Sequence, residues 1–246
     1  MQNKGETMEN NTVKFQPKDL KKILDFALSA ASLDETRYQL CGLFFSENKI
    51  VSTDGHRCHI QELPFTLPIG SYILPRKICE AVHTLVKGAS YVVDLTLDKD
   101  RFKFTIDEDI SIGAKYVNAE FPRYQQIIPS NDFLDKGFTA NRRALVKQLE
   151  LAYKNTSDSG CVKLVLDSAS SSFISKNNDA SEAKDFPLKL DPINKNKLTI
   201  GFNGKYWLDT LKGMTCNEVT FKGAGELDPM TITGEDKTAV IMPMRI

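Results

Sequence analysis

The sequence predicts an α+β protein built as two copies of one unit, with helices on one face and antiparallel sheets on the other. Three observations predict it. A helix-periodic segment near the start returns about 123 residues later. A second helix segment follows each of these. Segments of alternating apolar and polar residues fill the intervals.

In the first half, VKFQPKDLKKILDFALSAAS (13–32) is a short strand followed by a helix over 17–31. Pro17 suits its first turn, and Leu20, Ile23, Leu24 and Ala27 form its apolar stripe. GLFFSENKIVST (42–53) reads as a hairpin with ENK at its tip. SYILPRKICEAVHTLVKG (71–88) reads as a strand end and a helix over 75–87, opened by Pro75, with Ile78, Val82 and Leu85 inward. YVVDLTLDKDRFKFTIDEDISIGAKYV (91–117) supplies further strands, with DKDR as a tip.

The second half repeats this order. KGFTANRRALVKQLELAYKN (136–155) matches the start, with Phe138 aligned to Phe15 and Thr139 as candidate cap of a helix over 139–154. Leu145, Leu149 and Ala152 continue its stripe. CVKLVLDSASSSFISK (161–176) alternates as strands do. LTIGFNGKYWLDTLKGM (198–214) predicts a strand and a helix over 203–212, capped by Asn203, with Trp207, Leu208 and Leu211 inward. EVTFKGAGELDPMTITGEDKTAVIMPM (218–244) closes the chain with strands. FPRYQQIIPSNDFLDKG (121–137) interrupts the pattern with two prolines. The expected domains are therefore 13–125 and 126–246, after a flexible polar tail at 1–12.

Composition narrows the class. Apolar residues make up 41% and charged residues 26% of 246, as in ordinary globular proteins. No apolar stretch approaches the roughly 18 residues of a membrane span. The polar start, MQNKGETMENNT, lacks the apolar core of a signal peptide, so a cytoplasmic protein is expected. Cys41, Cys58, Cys79, Cys161 and Cys216 lie far apart, which suits free and mostly buried thiols rather than a metal site.

Formal net charge is zero. The four predicted helices nevertheless carry +1, +2, +3 and +1, leaving −7 elsewhere. Lined along one surface they would attract a polyanion. Lysines on the solvated side of any amphipathic helix look the same.

STDGHRC (52–58) gathers Thr53, Asp54, His56 and Arg57 around one glycine. Asp54 with His56 imitates part of a catalytic dyad, but no serine or cysteine nucleophile is tied to it. Phosphate-loop, GxSxG and HExxH motifs are missing from the sequence. A tight polar turn, with Gly55 supplying a positive φ, is the better reading, and no enzyme is expected. VIMPMRI (240–246) ends the chain on large apolar residues that must pack somewhere, as a buried strand or as an adaptable methionine surface.

TDGHR (53–57), FPRYQQIIP (121–129), FNGKYWLDTLKG (202–213) and MPMRI (242–246) together resemble the bacterial sliding clamp, the beta subunit of DNA polymerase III. The resemblance runs from about Val13 to Ile246. Family chains have three α+β clamp units, and two chains ring duplex DNA with helices lining the hole and sheets outside. This sequence looks like the middle and last units only. The resemblance implies a processivity factor, with no cofactor in the ring itself.

It also implies a peptide-binding pocket for replicative polymerase and clamp loader, formed by Leu40, Thr53, Gly55, His56, Arg57, Cys58, Pro122, Gln126, Ile127, Pro229, Val240, Ile241, Met242, Pro243, Met244 and Arg245. Thr53, His56 and Arg57 would be its polar edges. Cys58 and Gln126 stand where the family commonly has larger or more basic residues. Sequence-independent contacts to duplex DNA would come from Lys21, Lys22, Arg37, Arg76, Lys77, Arg142, Arg143, Lys147, Lys205 and Lys212. With two units per chain, six units require a head-to-tail homotrimer. The alternative is an adaptor or regulator that binds the same peptides without forming a ring.

Overall fold

The computed structural model describes residues 11–68, 70–129, 136–167, 170–178, 182–192 and 197–245. They group into two units, one of residues up to Ser52 with Glu62–Phe121, the other of Thr53–Gln61 with everything from Pro122. Of the expected tail, 1–10 lies outside the described residues, and Thr12 already belongs to a strand. Among the described residues no helix is long and apolar enough to cross a membrane.

The chain runs β1 (Thr12–Phe15), α1 (Pro17–Ala30), β2 (Gly42–Ser46), β3 (Lys49–Thr53), β4 (Arg57–Glu62), β5 (Ser71–Pro75), α2 (Arg76–Leu85), β6 (Val93–Leu97), β7 (Arg101–Thr105) and β8 (Ser111–Lys115). In the first unit, β1–β6–β7–β8 form one antiparallel sheet. β3–β2–β5 form a second set. The two-residue tip between β2 and β3 puts Glu47 at φ 51. Period-two alternation turns Val93, Leu95, Leu97, Phe102 and Phe104 inward. Leu20, Ile23, Leu24 and Ala27 of α1 and Cys79 and Val82 of α2 pack into the same core. Pro17 occupies the first turn of α1 as predicted. Pro75 stands one place outside α2, as its cap position. α2 ends at Leu85, so Lys87 falls beyond it and the helix carries +1 rather than +2.

The second unit continues with β9 (Lys136–Asn141), α3 (Arg142–Lys154), β10 (Cys161–Leu166), β11 (Ser171–Ser175), β12 (Lys184–Leu188), β13 (Asp191–Pro192), β14 (Leu198–Asn203), α4 (Gly204–Gly213), β15 (Glu218–Gly223), β16 (Met230–Gly234) and β17 (Lys237–Ile241). One sheet runs β12–β11–β10–β14. The other runs β13–β9–β15–β16–β17–β4. Its core centres on Trp207, whose ring stacks 4.0 Å from Phe202 and 4.9 Å from Phe221, with Phe138 stacked 4.5 Å from Phe221. A Cβ at Gly204 would come within 2.8 Å of the Tyr153 ring and 2.9 Å of Val162, so glycine lets α4 start against α3 and β10.

One expectation changes here. Thr139 does not cap α3; it pairs with Thr220 inside β9, and Asn141 is the cap, its Oδ1 accepting from Ala144 N at 3.1 Å. Sheet pairing to β15 extends the strand two residues further than helical periodicity suggests. Asn203 caps α4 as predicted, accepting from Lys205 N and Tyr206 N.

Each unit also carries an arginine clasp. Arg76, first residue of α2, donates to the Ala31 carbonyl just past the end of α1. Arg142, first residue of α3, donates to Leu211 O at 3.0 Å near the end of α4 and to Cys216 O at 2.7 Å. Helix ends leave carbonyls unpaired, and a cation there satisfies both the hydrogen bonds and the dipole.

Asn141→Ala should cost about 1 kcal/mol of stability while Trp207→Ala costs about 3–5 kcal/mol. Urea unfolding followed by circular dichroism checks both, and an Asn141→Ala loss no larger than that of Thr139→Ala would refute the cap assignment.

Candidate functional site: the TDGHR turn, the C-terminal segment and the helix cations

The TDGHR turn wires itself. Thr53 Oγ1 donates to Arg57 O at 2.6 Å and accepts from Gly55 N at 3.1 Å. Asp54 Oδ1 accepts from His56 N at 2.9 Å and from Arg57 N at 3.1 Å. Gly55 sits at φ 93, a conformation that disfavours any side chain. Asp54 is thus consumed by the turn, leaving the imagined dyad with His56 without a free carboxylate.

Arg57 is only 7% exposed, so its charge must be matched from within. Nε meets Asp54 Oδ2 at 3.0 Å and Nη1 meets Asp209 Oδ2 at 3.1 Å. The guanidinium lies 4.4 Å over the Tyr206 ring. The His56 ring stacks on the same tyrosine at 6.2 Å. Lys205 Nζ touches both Asp209 oxygens at 3.1 Å. One position on, buried His59 Nε2 bonds Thr210 Oγ1 at 2.8 Å. Tyr206, Asp209 and Thr210 were not singled out from sequence. Their spacing of three and four residues on one helix face is the signal that could have found them.

The C-terminal segment lies on this turn. Val240 pairs with Cys58 and Ile241 with Arg57 in the β17–β4 ladder. Met242 N donates to His56 O at 2.9 Å, and Met244 N to Gly201 O at 2.7 Å. RCHIQE is therefore a strand whose Arg57–Gln61 are buried. Thr53, Arg57, Cys58, Val240 and Ile241 form the inside of the wall. Gly55, His56 and Arg245 are exposed, and Met242, Pro243 and Met244 are half-buried. Pro122, Gln126 and Ile127 lie at a 3-10 turn (Tyr124–Ile127) of the same unit, Pro122 and Gln126 exposed and Ile127 half-buried. Pro229 precedes β16, half-buried. Leu40, in the other unit, is buried at the end of its own 3-10 turn, its carbonyl accepting from Ser32 N. Burial pushes the Cys58 thiol up to about 12, aided by the charge of Asp54.

Seven of the ten candidate DNA contacts are already ion-paired. Lys21 meets Asp25 (2.6 Å), Lys22 Asp19 (3.2 Å), Arg37 Asp34 (3.0 Å) and Arg76 Glu80 (2.7 Å). Lys77 meets Glu35 (2.9 Å), Lys205 Asp209 (3.1 Å) and Lys212 Glu150 (2.7 Å). Asp25 also meets His83 at 2.6 Å. Burial pushes the Asp25 carboxyl up, but the bonds from Lys21 and His83 outweigh it and hold it below the usual range. Lys77 and Lys212 likewise lower Glu35 and Glu150. Arg142 is spent on carbonyls. Among the described residues only Arg143 and Lys147 of the ten have no such partner, and both are exposed.

Comparison with known proteins places this architecture among DNA polymerase sliding clamps. A sliding clamp from Pseudomonas aeruginosa superposes with a TM-score of 0.85 at 23% identity, over 96% of this chain and 67% of that one. A Bartonella birtlesii sliding clamp bound to griselimycin gives a TM-score of 0.84 at 25% identity, over 96% of this chain and 66% of that one. Residues 14–123 match the central domain of the DNA polymerase III beta subunit, and residues 125–245 match its C-terminal domain. The chain belongs to the DNA polymerase III beta subunit family. Beta sliding clamps from Rickettsia bellii and Caulobacter vibrioides are 27% and 26% identical over 92% and 93% of this chain. The chain spans 64% of the length of each.

Asp209→Asn should lower stability by about 1.5–3 kcal/mol, because Arg57 loses the Asp209 carboxylate, while Lys205→Ala costs under about 0.5 kcal/mol. Thermal melts of the two variants check this. Under native conditions a thiol reagent should modify partly exposed Cys41 and Cys161 well before Cys58 and Cys79; mass spectrometry of the labelled peptides reads the order.

Proposed function

We propose that this chain is a DNA sliding clamp, a processivity factor that encircles duplex DNA and tethers replicative polymerase and clamp loader through short apolar peptides. The observation that carries this reading is the ladder joining Arg57–Cys58 to Val240–Ile241 and the bond from Met242 to His56. It joins TDGHR and the C-terminal segment, the two motifs associated with peptide docking, in one wall. Both halves of the chain match domains of the same family.

In this wall, Met242, Pro243 and Met244 offer the adaptable apolar surface and His56 the reachable polar edge. Thr53, Arg57, Cys58, Val240 and Ile241 hold that surface in place from behind. Pro122, Gln126, Ile127, Pro229 and Arg245 complete the proposed pocket. Helix cations meet phosphates rather than base edges, so binding is sequence-independent and salt-sensitive and permits sliding. The protein acts by binding and not by catalysis. Three copies of a two-unit chain supply the six units of a ring, joined head to tail.

Multi-angle light scattering of the 246-residue chain should give three times 27.6 kDa. Loaded protein should stay on a nicked circular plasmid through a high-salt wash and leave when the plasmid is linearised. Retention that ignores linearisation would overturn encirclement. Met242→Ala should weaken a clamp-binding peptide by about tenfold, or ~1.4 kcal/mol, read by fluorescence anisotropy.

A further inference from the structure

We infer that α3 supplies most of the electrostatic grip on duplex DNA, and that α1 and α2 contribute little; this rests on the sliding-clamp reading above. Arg143, Lys147 and Lys154 stand at intervals of four and seven residues, which places them on one stripe of the helix. All three are exposed, and none makes an ion pair among the described residues, Lys154 lying only near enough to Glu150 to help Lys212 lower its carboxyl. Glu150, the acid in the same stripe, is taken up by Lys212 at 2.7 Å. The stripe from Arg143 to Lys154 rises about 16 Å, enough to meet phosphates on both sides of a groove about 12 Å wide.

The first unit contrasts with this. Lys21, Lys22, Arg76 and Lys77 each face an acid of the same unit, and Lys18 is the cation of α1 and α2 left without one among the described residues. A phosphate arriving there must displace a carboxylate and gains only the difference, whereas on α3 it meets uncompensated charge.

The placement of Arg143 supports the same conclusion independently. It sits in the first turn of α3, which contains no acid, and there the helix dipole disfavours a cation. Its neighbour Arg142 is explained by the carbonyls it clasps. Among the described residues Arg143 has no carboxylate within ion-pair distance to offset its position, which fits a use outside the folded chain.

The test compares two triple variants of equal charge change, Arg143→Gln/Lys147→Gln/Lys154→Gln and Lys18→Gln/Lys21→Gln/Lys22→Gln, by anisotropy of a labelled duplex across about 50–200 mM salt. The α3 variant should weaken binding at least tenfold at the lowest salt and flatten the slope of log K against log salt by about 2–3. The α1 variant, which removes one unpaired cation and leaves Asp19 and Asp25 bare, should weaken binding severalfold less than the α3 variant. Arg143→Gln alone should weaken binding without lowering the melting temperature, which separates a binding role from a structural one. Equal losses in both triples, or an unchanged slope in the α3 triple, would overturn the inference while leaving the clamp reading intact. Wild-type protein that binds no duplex at any salt would overturn both.

Discussion

A guanidinium removed from water dictates the second unit. Arg57 is buried with Asp54, Asp209 and the Tyr206 face around it. Asp54 is available because the turn bends back through Gly55, and Asp209 because α4 presents it one turn beyond Lys205. With the His59–Thr210 bond and the His56–Tyr206 stack, this ion-pair cluster fastens residues 53–59 to α4, and β4, which starts at Arg57, lies in line to receive β17. The polar residues of the motif thus build the site more than they furnish its surface. The surface is left to Met242, Pro243, Met244 and the imidazole of His56.

Arginines at the first position of a helix do comparable work in both units. Arg76 and Arg142 each close the exposed carbonyls of the neighbouring helix. The repeated units share this device although the sequences around the two arginines differ. It also explains why a count of basic residues on helices overstates the charge available to a partner. A cation holding a carbonyl or a carboxylate contributes to the fold before it contributes to any field outside it.

Much of this was legible in the sequence. Leu20, Ile23, Leu24 and Ala27 announced α1 by period, and Asn203 announced the start of α4 by chemistry. The ENK and DKDR tips lie between paired strands. Local rules failed where tertiary pairing prevailed. Thr139 has good capping chemistry but is claimed by the ladder to β15. RCHIQE is too polar to read as a buried strand, since Arg57, His59 and Gln61 find partners contributed by residues 209, 210 and 236. The resemblance pointed to both segments of the wall, yet not to Tyr206, Asp209 or Thr210 as what fastens them. The charges of individual helices were countable, but which of them were already spent depends on side-chain geometry that no linear pattern carries.

The β4–β17 pairing has a consequence for how the chain is made. Arg57 and Ile241 are partners in register but lie far apart in the sequence. β4 is therefore made well before β17, and the ladder between them closes only once the long stretch separating them has been synthesised. Until then the edge that β17 covers stays open, a state prone to sticking to other chains. Cutting the protein between Phe121 and Pro122 would make that interval permanent, because the fragment after the cut has lost the strand that covers β17.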